Sequence, residues 1–346
     1  MSIVSKLYPD DRYAQKQMDR LLQQEGISRD GNLDYSCGIF DEDEQLIATG
    51  SCFGNTLRCL AVSRDHQGEG LLNEIISHLM EVQMQRGNFH LFLYTKPQSA
   101  KFMGDLGFKE IARVEGYLVF MENRRDGFAK YCDALKKNAR EGEKIAGIVM
   151  NANPFTNGHK YLVETAAKEN DVVHLFVLSE EAGPIPFAVR KKLVQAGVAH
   201  LDNVVVHESG PYIISSATFP SYFLKDGDTV IKTQAELDLQ VFGKIAATLG
   251  IQKRYVGQEK SSHVTALYNS VMLEKLPRLG VECTEIARLE SNGKIISAST
   301  VRQAIHDGKL EEIRDFLPAT TYEFFAGPQG AAVCAAIKAE KNVIHY

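Results

Sequence analysis

Two short segments of this chain hold residue types suited to handling phosphate. The first is Asn153-Pro154-Phe155-Thr156-Asn157-Gly158-His159, which follows an apolar run and opens a predicted helix. Pro154 fixes the turn, and Gly158 lets backbone or a phosphate approach where a side chain would block it. Thr156 and His159 are three residues apart, so at a helix start both side chains can face one phosphate chain. The helix start adds free amides and partial positive charge. The second segment is Ile296-Ser297-Ala298-Ser299-Thr300-Val301-Arg302, with hydroxyls at Ser297, Ser299 and Thr300 and a fork of donors at Arg302. Each has a plainer reading alone. A Thr-x-Gly-His turn occurs by chance, and Ser299 can simply be an N-cap with Thr300 the first helical residue. Together they make two phosphate-friendly helix starts.

The elements that must position these segments alternate. Ile145–Met150, Val172–Leu178, Val204–His207, Arg254–Val256 and Val281–Ile286 read as strands. Between them, Gly158–Lys168, Phe187–His200, Glu236–Leu249 and Val264–Leu276 read as helices, and a further helix begins near Ser299. This alternation predicts a parallel sheet wrapped by helices, with ligands bound beyond the carboxyl ends of its strands. The first phosphate segment follows the first of these strands and the second opens the last long helix.

The N-terminal part is more mixed. Leu46–Phe53 and Thr56–Val62 are predicted strands around a Gly54-Asn55 turn. A helix over Gly70–Arg86, a strand Phe89–Thr95, a helix near Ser99–Asp105 and strands Glu110–Val114 and Tyr117–Met121 complete an α+β pattern. The charge-dense stretch 122–144 reads as an exposed helix and linker. The expected organisation is a domain over 1–125, a charged helical linker over 126–144 and a second domain over 145–346.

At 346 residues two domains are the natural expectation. A net charge of −5 gives no long-range attraction for nucleic acid, so any anion site must be local. No apolar run approaches the ~18–20 residues that span a bilayer, and the first residues lack the apolar core of a secretion signal. The expectation is a soluble cytoplasmic protein with no membrane partner. The 6 cysteines form no CxxC pair and have no His at ligand spacing, so they read as reduced thiols rather than a metal site.

The pair Thr156-Asn157-Gly158-His159 and Ile296-Ser297-Ala298-Ser299-Thr300-Val301-Arg302 resembles the T/HxGH turn and late ISxSTxR segment of the HxGH nucleotidyltransferases. Further stretches are similar to the citrate lyase ligase family: Phe187-Ala188-Val189-Arg190, the run from Gly210 to Phe223, Tyr255-Val256-Gly257-Gln258-Glu259 and Val264-Thr265-Ala266-Leu267-Tyr268-Asn269. The resemblance implies a Rossmann-like α/β nucleotidyltransferase domain and an AMP-forming ligase. Acetate would attack the α-phosphate of ATP to give acetyl adenylate. The acetyl group would then pass to the thiol of the phosphoribosyl-dephospho-coenzyme A arm on the citrate lyase acyl carrier subunit. His159, Thr156 and Arg302 would be catalytic. Asn153, Phe155, Gly158, Ser297, Ser299 and Thr300 would join them around ATP, with Gly257 and Glu259 bordering the adenine. Arg190, Tyr212, Ser215 and Ser216 would form an acceptor pocket. Mg2+ would be carried by the triphosphate, with no dedicated protein metal cluster. A plain nucleotidyltransferase acting on a phosphopantetheine-type acceptor, and a non-catalytic regulatory or coenzyme A-binding protein, are the competing readings.

The segment Val62-Ser63-Arg64-Asp65-His66-Gln67-Gly68-Glu69-Gly70, with Tyr94–Pro97 and Lys101–Phe108, resembles GCN5-type N-acetyltransferases. Gly68 and Gly70 keep that family's coenzyme A loop, but Asp65 puts an anion where a pyrophosphate needs a donor. A binding role for this domain without catalysis is the favoured expectation.

Overall fold

The computed structural model describes residues 3–181, 183–213, 219, 227–259, 263–291 and 293–343. By its internal contacts the chain divides into two compact units. One comprises Met1–Gly127 with Pro220–Thr233, the other Phe128–Phe219 with Gln234–Tyr346.

The first unit opens with β1 (Val4–Lys6), α1 (Arg12–Gln24), β2 (Tyr35–Phe40), β3 (Leu46–Phe53) and β4 (Thr56–Val62). It continues with α2 (Leu71–Gln85), β5 (Phe92–Thr95), α3 (Ala100–Asp105), β6 (Lys109–Val114) and β7 (Leu118–Glu122). Asp11 caps α1 by accepting from the amides of Tyr13 and Ala14, while Ala14, Met18, Leu21 and Leu22 turn one stripe into the core. The seven strands lie in the order β1-β2-β3-β4-β5-β7-β6. Neighbours are antiparallel except β4 and β5, which run parallel and are paired only at Thr56↔Phe92 and Leu57↔Leu93.

The second unit contains the expected parallel sheet. In chain order its elements begin with α4 (Gly127–Lys137), β8 (Ile145–Met150), α5 (Asn157–Glu169), β9 (Val172–Val177), α6 (Phe187–Val198) and β10 (Val204–Glu208). Then come α7 (Gly227–Leu249), which belongs to this unit from Gln234 onward, β11 (Lys253–Gly257), α8 (His263–Lys275), β12 (Glu282–Ile286), the short pair β13 (Glu290–Ser291) and β14 (Lys294–Ile295), α9 (Ala298–His306), α10 (Ala319–Ala326) and α11 (Ala331–Ala339). Strand order is β10-β9-β8-β11-β12, every pair parallel. The chain runs outward from β8 through β9 to β10 and returns to the other side at β11. The crevice at this reversal, above the carboxyl ends of β8 and β11, is where such sheets bind ligands. Residues of β8 and β9 are almost wholly buried, as expected of strands covered on both faces.

The stretch expected as a linker supplies α4, whose Leu135 is buried. Its Phe128 and Tyr131 rings pack on Tyr212 with centroids 5.0 Å away, and the Tyr131 hydroxyl donates to the Glu208 carbonyl at 3.1 Å. Among the described residues no helix is long and apolar enough to cross a membrane.

Candidate active site

The turn after β8 is shaped by its backbone. Ala152 has φ +52°, a left-handed conformation that a residue with a Cβ adopts at a cost of about 1 kcal/mol or more. Asn153 and Phe155 are buried. The Phe155 ring fills the core beside Gly197 of α6, where a Cβ would lie 2.4 Å from the ring. Phe155 was expected among the ATP contacts; its ring is instead packing, and it stacks on His159 with centroids 5.8 Å apart.

Thr156 is the N-cap of α5. Its hydroxyl accepts from the His159 amide at 3.4 Å, and its own amide donates to His159 Nδ1 at 3.1 Å. The hydroxyl also lies 2.9 Å from Nδ1. Because Nδ1 accepts, the proton of the neutral ring sits on Nε2, which becomes a donor. Burial, and secondarily the charge of Arg288, push the imidazole down from 6.5 to about 4. His159 is therefore a fixed neutral donor across the physiological range.

The second segment comes up against the first. The place of a Cβ on Gly158 is 3.4 Å from the carbonyl oxygen of Ile296. The N-cap of α9 is Ser297, not Ser299, because the Ser297 hydroxyl accepts from the Thr300 amide at 3.1 Å and Ala298 is the first helical residue. Ser297 Oγ also lies 2.9 Å from Ser299 Oγ and 2.7 Å from Thr300 Oγ1, a hydroxyl cluster at a helix N-terminus. Arg302 is buried; it donates from Nε to the Val343 carbonyl at 2.6 Å and from Nη1 to the Asn153 carbonyl.

The expected acceptor pocket does not assemble from its described members. Arg190 is fully buried and its donors go to carbonyls: Asn151 at 2.8 Å, Leu178 at 2.9 Å, Ile185 at 3.2 Å, and Glu180, with a further bond to Asn151 Oδ1 at 2.8 Å. It gathers the loops that leave β8 and β9. Tyr212 is buried in the ring cluster of α4. Ser215 and Ser216 lie outside the described residues. Gly257 ends β11 with an exposed backbone, and its carbonyl accepts from Asn269 at 3.0 Å.

Glu259 binds Arg288, which sequence reasoning missed. Arg288 donates from Nε to the Gln258 carbonyl at 2.7 Å and from Nη2 to the Glu259 carboxylate. An arginine shortly before a Ser/Thr-rich helix start was the available signal. The donors at this edge of the sheet, from two helix starts, three hydroxyls, the His159 Nε2 and Arg288, suit a polyphosphate. Among the described residues no three His, Cys, Asp or Glu side chains gather as metal ligands.

In the first unit, β4 and β5 separate beyond Leu57 and Leu93 and open a cleft of ≈ 460 Å3. Leu60, Gly68, Gly70, Tyr94, Lys96 and Phe102 contribute to its walls. Asp65 is exposed beside it in the turn Arg64–His66.

Comparison with known proteins converges on one family. The citrate lyase ligase C-terminal domain matches residues 145–325. The [citrate [pro-3S]-lyase] ligase of Klebsiella pneumoniae is 37% identical over 91% of this chain and 93% of its own length. That of Escherichia coli (strain K12) is 40% identical over 82% of each. Among solved structures, Thermotoga maritima TmcAL bound with alpha-thio ATP is 15% identical, with a TM-score of 0.35 over 53% of this chain and 55% of that one.

Proposed function

We infer the activity of this chain from its place in the citrate lyase ligase family, to which it belongs: it activates acetate with ATP and acetylates citrate lyase. The proposed first step is attack of an acetate oxygen on the α-phosphate of ATP, forming acetyl adenylate as the bond to pyrophosphate breaks. In the second, the thiolate of the carrier subunit's phosphoribosyl-dephospho-coenzyme A arm takes the acetyl group and AMP leaves. A carboxylate needs orientation rather than a base to attack an in-line phosphoryl centre.

The observation that carries this reading is the convergence of two helix starts. Gly158 at the start of α5 lies against the Ile296 carbonyl that leads into α9, and Arg302 of α9 donates to Asn153 in the turn before α5. His159 donates from Nε2 toward the α-phosphate as charge builds there, and Thr156 holds that tautomer. The amides of α9, with Ser297, Ser299 and Thr300, take the β,γ-phosphates. Mg2+ carried by the triphosphate would offset part of its charge. Arg302 contributes by fixing the two segments to each other. In the first unit, the cleft between β4 and β5 takes the coenzyme A-like arm without acting on it; its exposed Asp65 disfavours the pyrophosphate clamp of an active acetyltransferase.

ATP–pyrophosphate exchange, with and without acetate, tests the ligase reading. Exchange that appears only with acetate is the expected result. Exchange absent with acetate, but pyrophosphate release with a phosphopantetheine-type acceptor, would leave a nucleotidyltransferase.

A further inference from the structure

Three arginines meet the edge of the parallel sheet where the two helix starts converge, and they are not equivalent. Arg190 and Arg302 are buried and direct their guanidinium donors to backbone carbonyls. Arg288 is different. It stands just past β12, whose last residue Ile286 accepts from the Gln258 amide at 2.8 Å, so the strand ends of β11 and β12 are stitched together beneath it. Only one side of its guanidinium is held: Nε goes to the Gln258 carbonyl at 2.7 Å and Nη2 to the Glu259 carboxylate. Nη1 makes no hydrogen bond among the described residues, and the side chain keeps 27% of its surface exposed while Glu259 keeps 7%. A buried carboxylate gripping one side of a half-exposed guanidinium fixes the direction of its other side.

The backbone brings Arg288 to the His159 turn: the carbonyl of its neighbour Leu289 accepts from the Ile296 amide at 3.0 Å, and the Ile296 carbonyl oxygen lies 3.4 Å from the place of a Cβ on Gly158. The charge of Arg288 is among the causes that hold the His159 ring neutral, so the two groups share one local field. The unclaimed Nη1 donors thus belong to a segment that packs on the turn carrying His159.

We propose that Arg288 is a catalytic residue that donates from Nη1 to the β,γ-phosphates of the bound nucleotide, and that Glu259 is the positioning residue that aims it. The proposal rests on the adenylyl-transfer reading of the site, and it replaces the adenine-bordering role expected for Glu259. No bond in the protein is made or broken by Arg288; it offsets the negative charge that moves onto pyrophosphate as it leaves.

The test measures binding of ATP and of AMP by titration calorimetry in the wild-type chain and in Arg288→Ala, Arg288→Lys and Glu259→Ala, with the exchange assay run beside it. Losing one charge-assisted contact to phosphate should weaken ATP binding by about 10- to 100-fold in Arg288→Ala. AMP, lacking the β,γ-phosphates, should bind all four proteins alike, which also reports that the variants are folded. Glu259→Ala should lose part of the ATP affinity, and Arg288→Lys should recover part of it. A readout that a merely structural role would not move is the His159 ring: in Arg288→Ala its titration, followed by NMR, should shift upward. Unchanged ATP affinity in Arg288→Ala, with AMP still bound, overturns the proposal whether or not exchange is seen. ATP binding that depends on Arg288 in a protein showing no acetate-dependent exchange sinks the ligase reading and leaves this assignment standing.

Discussion

The guanidinium of Arg302 donates to the carbonyl oxygen of Asn153, a residue 149 positions earlier in the chain. The bond joins the turn after the first strand of the parallel sheet to the helix that follows its last segment. A second bond, at 2.6 Å to the Val343 carbonyl, brings the C-terminal stretch under the same guanidinium. Arg302 therefore fixes how the two phosphate-handling helix starts face each other.

Arg302→Ala should consequently lose stability and activity together. It strands buried carbonyl oxygens at a cost of about 1–3 kcal/mol each. Misplacing one helix start relative to the other should lower acetate-dependent exchange by on the order of 100-fold. Arg302→Lys should recover little of either, since a single ammonium lacks the planar fork that reaches two carbonyls. Urea unfolding and ATP–pyrophosphate exchange on the same preparations check both. A variant that keeps full stability while losing exchange would move Arg302 from the frame to the phosphates themselves.

His159→Asn should act differently. It removes an Nε2 donor whose tautomer is set by the Thr156 amide, so the loss belongs to the transition state. The expected effect is a fall in kcat of about 100- to 1,000-fold with little change in KM for ATP. Thr156→Ala should reproduce part of that fall and also cost about 1 kcal/mol through the lost cap. Steady-state kinetics with ATP varied at saturating acetate separate the two parameters. A rise in KM alone would show that His159 serves ground-state binding.

Gly197→Ala probes the support under the turn. A methyl there would lie 2.4 Å from the Phe155 ring, which backs the His159 imidazole. Overpacking of this kind costs about 1–3 kcal/mol. The Phe155 ring must shift, so exchange should fall although residue 197 is remote from any phosphate. Thermal unfolding paired with kcat measures both effects. A stable variant with normal kcat would show that the turn holds His159 without help from Phe155.

Much of this was legible because its signals are local. Strict alternation of strands and helices announces a parallel sheet, and the strand Ile145–Met150 was bounded correctly because it is apolar throughout and followed by Asn-x-Asn-Pro. The phosphate segments were legible from residue type. Roles that depend on where a side chain ends were not. Arg190 has the look of an exposed helix charge, yet its donors collect the carbonyls of two loops. Tyr212 sits in a hydroxyl-rich run but is drawn into a ring cluster by Phe128 and Tyr131 of α4, a helix whose charge density suggested a linker. Arg288 carries no motif of its own, and its meaning comes from Gln258 and Glu259, 30 and 29 positions earlier. In the first unit α1 went unread although its signals were present: Asp11 as cap and apolar residues at Ala14, Met18, Leu21 and Leu22.

The pH dependence of stability should be governed by a second histidine site, away from the phosphates. His174 on β9 and His207 on β10 are buried, with Nδ1 of the first 2.8 Å from Nε2 of the second. Burial pushes both rings down from 6.5 to about 4, with the charge of His174 adding to the shift at His207. The unfolded chain takes up protons at these groups below about pH 6.5, whereas the folded chain resists until about pH 4. Their contribution is therefore fully present above pH 6.5 and is lost as pH falls toward 4, with a slope of about 1.4 kcal/mol per pH unit for each histidine. His159 titrates in the same direction. Urea unfolding between pH 7.5 and pH 5 should show stability falling with acid. His207→Gln, which keeps a hydrogen-bonding partner for His174 but cannot titrate, should flatten the slope by about one proton. An unchanged slope in that variant would mean that the pair takes up its proton before the fold opens.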